Sequence, residues 1–146
     1  MVDLKEDARL RGAIELFYFA YREFTAGPDR ILAQRGLGRM HHRILYFVAR
    51  NPGVSVKRLL EILAITKQAL HVPLRQLQSM GLVQSLNDDQ DARVRRLKLS
   101  AEGARLEDRL TATQMKLLLT AFEAGGTNGE RGWLAVMEGF VRVPRG

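Results

Sequence analysis

Basic and polar side chains recur with helical spacing in the stretch ITKQALHVPLRQLQSMGLV, residues 65–83. Lys67, His71 and Arg75 are each four residues apart, which places them on one face of a helix, and Gln68 lies beside them. Lysine and arginine contact DNA phosphates and guanine edges, and glutamine contacts adenine edges. This face is therefore predicted to bind nucleic acid, the alternative being a solvated polar surface.

The opposite face of the same helix is apolar. Its leucines recur at spacings of four and three: Leu70, Leu74 and Leu77. Thr66 is a typical N-cap, and Gly81 is typical of the position just past a helix end. Pro73 contradicts this pattern, because an interior proline removes a backbone hydrogen bond at a cost of about 3 kcal/mol. We expect one helix bent at Pro73; the alternative is a helix that begins there.

Positive charge is concentrated in the middle of the chain. The 146 residues carry a net charge of +7. Residues 30–80 contain nine basic residues and one acidic residue, a net charge of +8, whereas residues 1–29 sum to −2 and residues 81–146 to +1. A basic central segment indicates a polyanionic partner such as DNA.

Several classes of site find little support in the sequence. The chain has no cysteine, which removes disulfides and thiolate chemistry and fits a reducing cytoplasm. No apolar run reaches the roughly 18 residues of a membrane span. His41 and His42 diverge by about 100° on a helix, so they do not chelate a metal together. Without a glycine-rich phosphate loop or a recognisable catalytic constellation, we expect no enzyme, no cofactor and no metal.

Hydrophobic periodicity predicts a mainly α chain with one small β-hairpin. The hairpin strands are expected in LVQSL and RVRRLKLS, on either side of NDDQDA. The segment AGPDR is expected to end the first helix. The predicted helices cover about residues 4–25, 38–50, a short segment capped by Ser55, 66–80, 101–124 capped by Ser100, and 130–141.

The first and last helices carry more apolar surface than a small central lobe can cover. In the first helix this stripe consists of Leu10, Ile14, Phe17, Tyr21 and Phe24. Burial against a second copy of the chain is the expected solution, since two-fold dimers are the commonest oligomers. The alternative is an intramolecular bundle in which the terminal helices cover the core of one monomer.

Residues 37–103 resemble the MarR family of transcriptional regulators. The resemblance is carried by LGRMHHRILYFVARNPGVSVKRLLEIL, by the helix described above, and by the hairpin segment NDDQDARVRRLKLSAEG. It implies a single MarR-like domain over residues 1–146, a winged helix-turn-helix lobe at 37–103, and dimerisation helices at 1–29 and 104–146. It also implies homodimers that bind palindromic operators, with repression favoured over activation, and that are often released by a small aromatic anion.

The resemblance further implies roles for individual residues. Asp91 would brace Arg93, which would enter the minor groove from the hairpin tip. Arg95, Arg96 and Lys98 are candidates for phosphate contacts, although alternation places Arg95 on the opposite strand face from Arg96. The predicted DNA-binding set is Ser55, Thr66, Lys67, Gln68, His71, Arg75, Asp91, Arg93 and Arg95. The residues expected to border an effector pocket are Phe17, Tyr21, Arg39, His42, Arg43 and Tyr46.

Two other functions are compatible with the same pattern. Winged helices also mediate protein–protein contacts, so the fold alone does not fix the function. An architectural protein would bind duplex DNA without ranking its sequences. Salt dependence separates DNA binding from the first alternative, and sequence selection separates a regulator from the second.

Overall fold

The computed structural model describes residues 3–143, and it is mainly helical with a small antiparallel sheet. This confirms the predicted winged-helix fold class. Within the described residues no helix is both long and apolar enough to cross a membrane. The elements in chain order are α1 (Leu4–Ala33), α2 (Arg39–Arg50), β1 (Val54–Ser55), α3 (Val56–Leu63), α4 (Lys67–Ser79), β2 (Val83–Asn87), β3 (Arg95–Leu99), α5 (Ala101–Ala124) and α6 (Gly129–Arg142).

The hydrophobic core lies inside the central lobe. Its most completely buried side chains come from α1 to α5, β3 and the turn after α4: Leu32, Ile44, Leu45, Leu59, Leu70, Leu77, Leu82, Leu97 and Leu110. The apolar stripe predicted for α4 is therefore confirmed as its packing face. This burial anchors α4 by one side and leaves the other side open to solvent.

Side-chain caps set the beginnings of α3 and α4, as predicted. The hydroxyl of Ser55 accepts a hydrogen bond from the Arg58 N–H at 3.0 Å, and that of Thr66 accepts from the Ala69 N–H at 3.1 Å. Between them, Ala64 adopts a left-handed conformation with φ of 54° and ends α3. The short turn between α3 and α4 is thus fixed locally.

The sheet contains one more strand than the hairpin predicted from the sequence. The strand order is β1-β3-β2, and Val54 pairs with Leu97 while Val83 pairs with Leu99. A strand of two residues is too short to show alternation, so periodicity did not reveal β1. Its pairing attaches the hairpin to the start of α3.

The prediction that AGPDR ends the first helix is wrong, because α1 continues through Pro28 to Ala33. Proline cannot donate the bond that would normally satisfy the Phe24 carbonyl four residues earlier. The side-chain amide of Gln114 in α5 donates to that carbonyl instead, at 3.3 Å. Pro28 is also buried. A tertiary contact therefore replaces the backbone hydrogen bond that the proline removes. The first helix extends beyond the predicted 1–29 segment.

Pro73 lies inside α4 and does not begin it. The helix starts at Lys67 under the Thr66 cap, so the alternative of a late start is wrong. Pro73 is half-buried beside the buried Leu74, as expected for a ring at the edge of the core. The bend at Pro73 stays a prediction.

Candidate nucleic-acid interface

The structure brings the predicted polar residues of α4 together on its exposed side. Lys67, Gln68, His71 and Arg75 are all exposed, as is the N-cap Thr66. Because the leucines on the opposite side are buried, the helix cannot rotate these groups away from solvent without exposing the core. The exposed face of α4 therefore presents a fixed set of donors and cations.

Ser55 lies at the start of α3 and is half-buried. Its hydroxyl oxygen already accepts the Arg58 N–H, so the side chain serves helix initiation. A hydroxyl can still donate its own proton while accepting. Its predicted phosphate contact remains a prediction beside this structural role.

The tip of the hairpin holds an aspartate and an arginine in direct contact. Asp91 accepts hydrogen bonds from the Arg93 backbone N–H at 3.0 Å and from the Arg93 Nε at 3.2 Å. The guanidinium contact, followed by the backbone bond, holds the pKa of the Asp91 carboxyl below its usual value. The Arg93 side chain is 91% exposed. A braced, fully solvated cation therefore projects from the hairpin.

Arg96 has a different position from the one expected for a phosphate contact. Its Nε donates to the Asp88 carboxylate at 2.5 Å and its guanidinium also donates to the Gly53 carbonyl at 3.1 Å. Asp88 further accepts the Gln90 and Asp91 backbone N–H groups. The Arg96 contact and then the Gln90 bond lower the pKa of Asp88. Arg96 thus ties the hairpin to the turn before β1, a role that the sequence analysis missed.

Arg95 and Arg96 lie on opposite faces of β3, as alternation predicted. Arg95 shares a face with the buried Leu97 and donates to the Ser85 hydroxyl at 3.3 Å. Lys98, on the Arg96 face, is exposed. The DNA-contact role of Arg95 remains a prediction.

A histidine links α2 to α4. The Gly38 N–H donates to Nδ1 of His41 at 2.9 Å, and Nε2 of His41 lies 2.7 Å from Oε1 of Gln76. Gln76 is exposed on α4 and was not among the predicted contacts. A histidine three residues after the N-cap Gly38 was the available signal, since that position can reach back to the cap.

Five of the six predicted effector residues line one cavity of about 350 Å³ between α1, α2 and α5: Tyr21, Arg39, His42, Arg43 and Tyr46. Phe17 does not line it and instead packs edge-on against Phe140 of α6, with ring centroids 5.7 Å apart. Contributions from α5, including Thr111, Gln114 and Met115, were missed. The amphipathic pattern of α5 did not show which of its residues would face α1.

The cavity combines cations with an aromatic wall. Arg39 lies over the Tyr21 ring, 5.6 Å from its centroid, and donates to Asp29 at 3.0 Å; this hydrogen bond is the main cause of the raised pKa of Arg39. Arg43 donates to the Tyr21 hydroxyl at 3.1 Å. Such a wall suits an aromatic ligand with an anionic group.

His42 is the buried member of this group. Its Nε2 is buried and has no hydrogen-bond partner among residues 3–143. Burial lowers the pKa of His42, the neighbouring Arg43 lowers it further, and Asp29 opposes both. Across the same residues no cluster of three or more histidine, aspartate or glutamate side chains could hold a metal ion.

Sequence comparison identifies the family of this chain. A model described as the MarR family matches residues 35–94. The HTH-type transcriptional regulator PetP of Rhodobacter capsulatus is 43% identical over 135 residues, which cover 92% of this chain and 81% of PetP. The chain belongs to the MarR family. The chain is therefore a DNA-binding transcription regulator and not an enzyme.

Solved MarR-family structures share the whole architecture. A MarR family transcription regulator named SP03579 superposes with a TM-score of 0.80 at 22% identity, covering 94% of this chain and 91% of its own. NadR in complex with 4-hydroxyphenylacetate gives a TM-score of 0.73 at 23% identity, with coverage of 90% and 92%. At these identities the likeness establishes the MarR fold of this chain.

Proposed function

We propose that this MarR-family regulator is a cytoplasmic homodimer that represses transcription at a palindromic operator and is released by a small aromatic anion. The observation that carries the proposal is the arrangement of α4 and the hairpin. The exposed face of α4 and the exposed Arg93 project from one rigid lobe. In this arrangement α4 enters the major groove and Arg93 the adjacent minor groove.

Charge supports duplex DNA as the partner. Lys67, Arg75 and Arg93 are exposed, and within residues 3–143 Arg93 alone of the three forms an ion pair, with Asp91 at the hairpin tip. Cations held on a fixed surface bind phosphates and release counterions, which drives association. Gln68 and His71 add donors and acceptors suited to base edges.

The outer helices support a homodimer. Ile14 of α1 is 67% exposed and Phe140 of α6 is 62% exposed, although Phe140 already packs on Phe17. Trp133 and Val136 of α6 are also exposed. The monomer therefore leaves the apolar surface of α1 and α6 open, contrary to the intramolecular alternative, and a second copy is the partner best matched to it. The proposed dimerisation segments, 1–29 and 104–146, include residues 1–2 and 144–146, which lie outside the described structure.

The cavity between α1, α2 and α5 supports an aromatic anion as the effector. Its guanidinium groups and the Tyr21 ring provide charge and stacking, and NadR, with the same fold, has been crystallised with 4-hydroxyphenylacetate. Because α1 and α5 belong to the outer helices while α2 belongs to the lobe, a ligand at this point contacts both parts. We infer that binding there alters how the two lobes are presented to DNA.

The DNA proposal is tested by selecting bound sequences from a random duplex pool and titrating the best duplex by fluorescence anisotropy. A palindrome and a fall in affinity of about 10³-fold or more between 50 and 200 mM salt, as expected for about six or more phosphate contacts, would support it. Salt-dependent binding without a sequence preference would indicate an architectural protein. Absence of binding at low salt would refute it.

The dimer and effector proposals need separate measurements. Phe140→Asp should shift the sedimentation coefficient to that of a monomer while the far-ultraviolet circular dichroism spectrum is kept. 4-Hydroxyphenylacetate should weaken binding to the selected duplex, whereas its uncharged amide should not. Arg43→Gln should reduce the effect of the acid, since this guanidinium faces the cavity. Equal effects of the acid and the amide would contradict the anionic-effector proposal.

A further inference from the structure

An apolar side chain lies in the middle of the exposed face of α4. Val72 is 59% exposed, while the leucines of the same helix are buried. Its neighbours three or four residues away are Gln68, Ala69, Arg75 and Gln76, all exposed. Ala69 contributes only one methyl group, and the other three are polar or cationic. These residues therefore do not form with Val72 an apolar patch large enough to attract a protein surface. The surroundings fit a polyanion that presents one small apolar group.

The contact with His41 determines what Gln76 can offer next to Val72. Nδ1 of His41 accepts the Gly38 N–H, so the proton of the neutral imidazole is on Nε2. This Nε2–H donates to Oε1 of Gln76 at 2.7 Å. This contact orients the Gln76 amide, and within residues 3–143 its NH₂ group makes no hydrogen bond and can donate to a bound base. Side chains four residues apart on a helix are about 6 Å apart. The apolar side chain of Val72 and the hydrogen-bond donor of Gln76 therefore lie side by side.

Thymine is the base that matches this pair. In the major groove it presents a C5-methyl group next to the O4 acceptor, whereas cytosine presents a donor and no methyl group. We propose that Val72 contacts the C5-methyl group of a thymine in each half-site, with the Gln76 amide donating to a neighbouring acceptor. This inference rests on the proposed DNA-binding function and adds to it a specificity-determining residue and the chemical group that it recognises.

The test uses the duplex recovered by selection, synthesised with each symmetric pair of thymines replaced in turn by uracil, which removes only the methyl group. At one of these thymine pairs, replacement by uracil should weaken binding of the wild-type protein roughly fourfold per half-site. This is the factor that corresponds to one buried methyl group. With two half-sites per dimer the loss is about fifteenfold.

Val72→Ala should bind the thymine duplex more weakly and show no further loss with uracil at that pair. Because Val72 is exposed, the substitution should not affect folding, which circular dichroism checks. Leu86→Ala is the control: it shortens an apolar side chain of 53% exposure on β2, outside α4 and outside the proposed dimer helices, and should keep the wild-type dependence on uracil.

The possible failures are distinguishable. If the protein binds the selected duplex but no uracil substitution has an effect that depends on Val72, the inference is wrong and the proposed function stands. If the selection returns no duplex, both are wrong. An equal loss of the uracil effect in Leu86→Ala would also overturn the assignment to Val72.

Discussion

Replacing Arg93 by alanine should remove a DNA contact without affecting the fold. The Arg93 side chain is 91% exposed. Asp91, which loses its ion-pair partner in the variant, is at the surface and can be hydrated. A surface substitution of this kind changes the free energy of unfolding by about 0.5 kcal/mol or less. Thermal denaturation of the free protein should therefore give nearly the same midpoint as the wild type.

The effect on DNA binding should be much larger. Each dimer would present two copies of Arg93, and each cation that leaves a phosphate lowers the slope of log affinity against log salt by about 0.9. The variant should thus show a slope smaller by about 1.8, measured by anisotropy from 50 to 300 mM salt. If Arg93 instead contacts base edges, the loss is about 1–3 kcal/mol per site and depends on the operator sequence.

Arg9→Ala is a suitable control, because Arg9 is also exposed and near a carboxylate, that of Glu6 at 3.9 Å, but lies on α1. It changes the net charge by the same amount away from the hairpin. If Arg93→Ala and Arg9→Ala give the same affinity and the same salt slope, the minor-groove role assigned to Arg93 is refuted.

Three further substitutions test other parts of the structure. Pro73→Ala should keep or raise the thermal midpoint and change operator affinity more than stability, because it restores a backbone bond within α4; a sharp loss of stability with unchanged affinity per folded dimer would make Pro73 a packing residue. Gln114→Ala should lower the free energy of unfolding by about 1–3 kcal/mol by removing the donor from the Phe24 carbonyl, and Gln114→Glu, which also lacks the donor, should do no better in chemical denaturation. Burial lowers the pKa of His42, so below about pH 6.5 the unfolded chain binds a proton that the folded chain does not, and stability should fall from pH 7 to pH 5. His42→Gln should flatten that fall in urea titrations; an unchanged pH dependence would mean that other groups cause it.

The sequence predicted the elements wherever periodicity and caps coincided. In α4, Thr66 and the leucine spacing together located the helix, and in α5 Ser100 did the same. The exposed cations followed from the same spacing, because residues opposite a buried stripe must face solvent. The contact between Asp91 and Arg93 was expected from family resemblance, and the structure shows it directly.

Features that depend on distant residues could not be predicted. Local rules end α1 at AGPDR, and only the amide of Gln114, 90 residues away from Phe24, explains why the helix continues. The attachment of Arg96 to the Gly53 carbonyl spans 43 residues. Likewise, the link from His41 to Gln76 depends on the packing of α2 against α4. Single-sequence reasoning has no access to such pairs, since each partner is unremarkable in its own segment.

In the proposed dimer, the distance between the two lobes depends on α1, because α1 is one continuous helix that reaches from the outer helices into the lobe. A helix of 30 residues is about 45 Å long. A rotation of about 5° at its exposed end would displace the end inside the lobe by ~4 Å, more than one base-pair step of about 3.4 Å. Because α1 is one continuous helix through Pro28, where Gln114 of α5 bonds the Phe24 carbonyl, we expect its two ends to move together. In the proposed dimer, the operator spacing would therefore be governed at the outer helices, far from the residues proposed to touch bases.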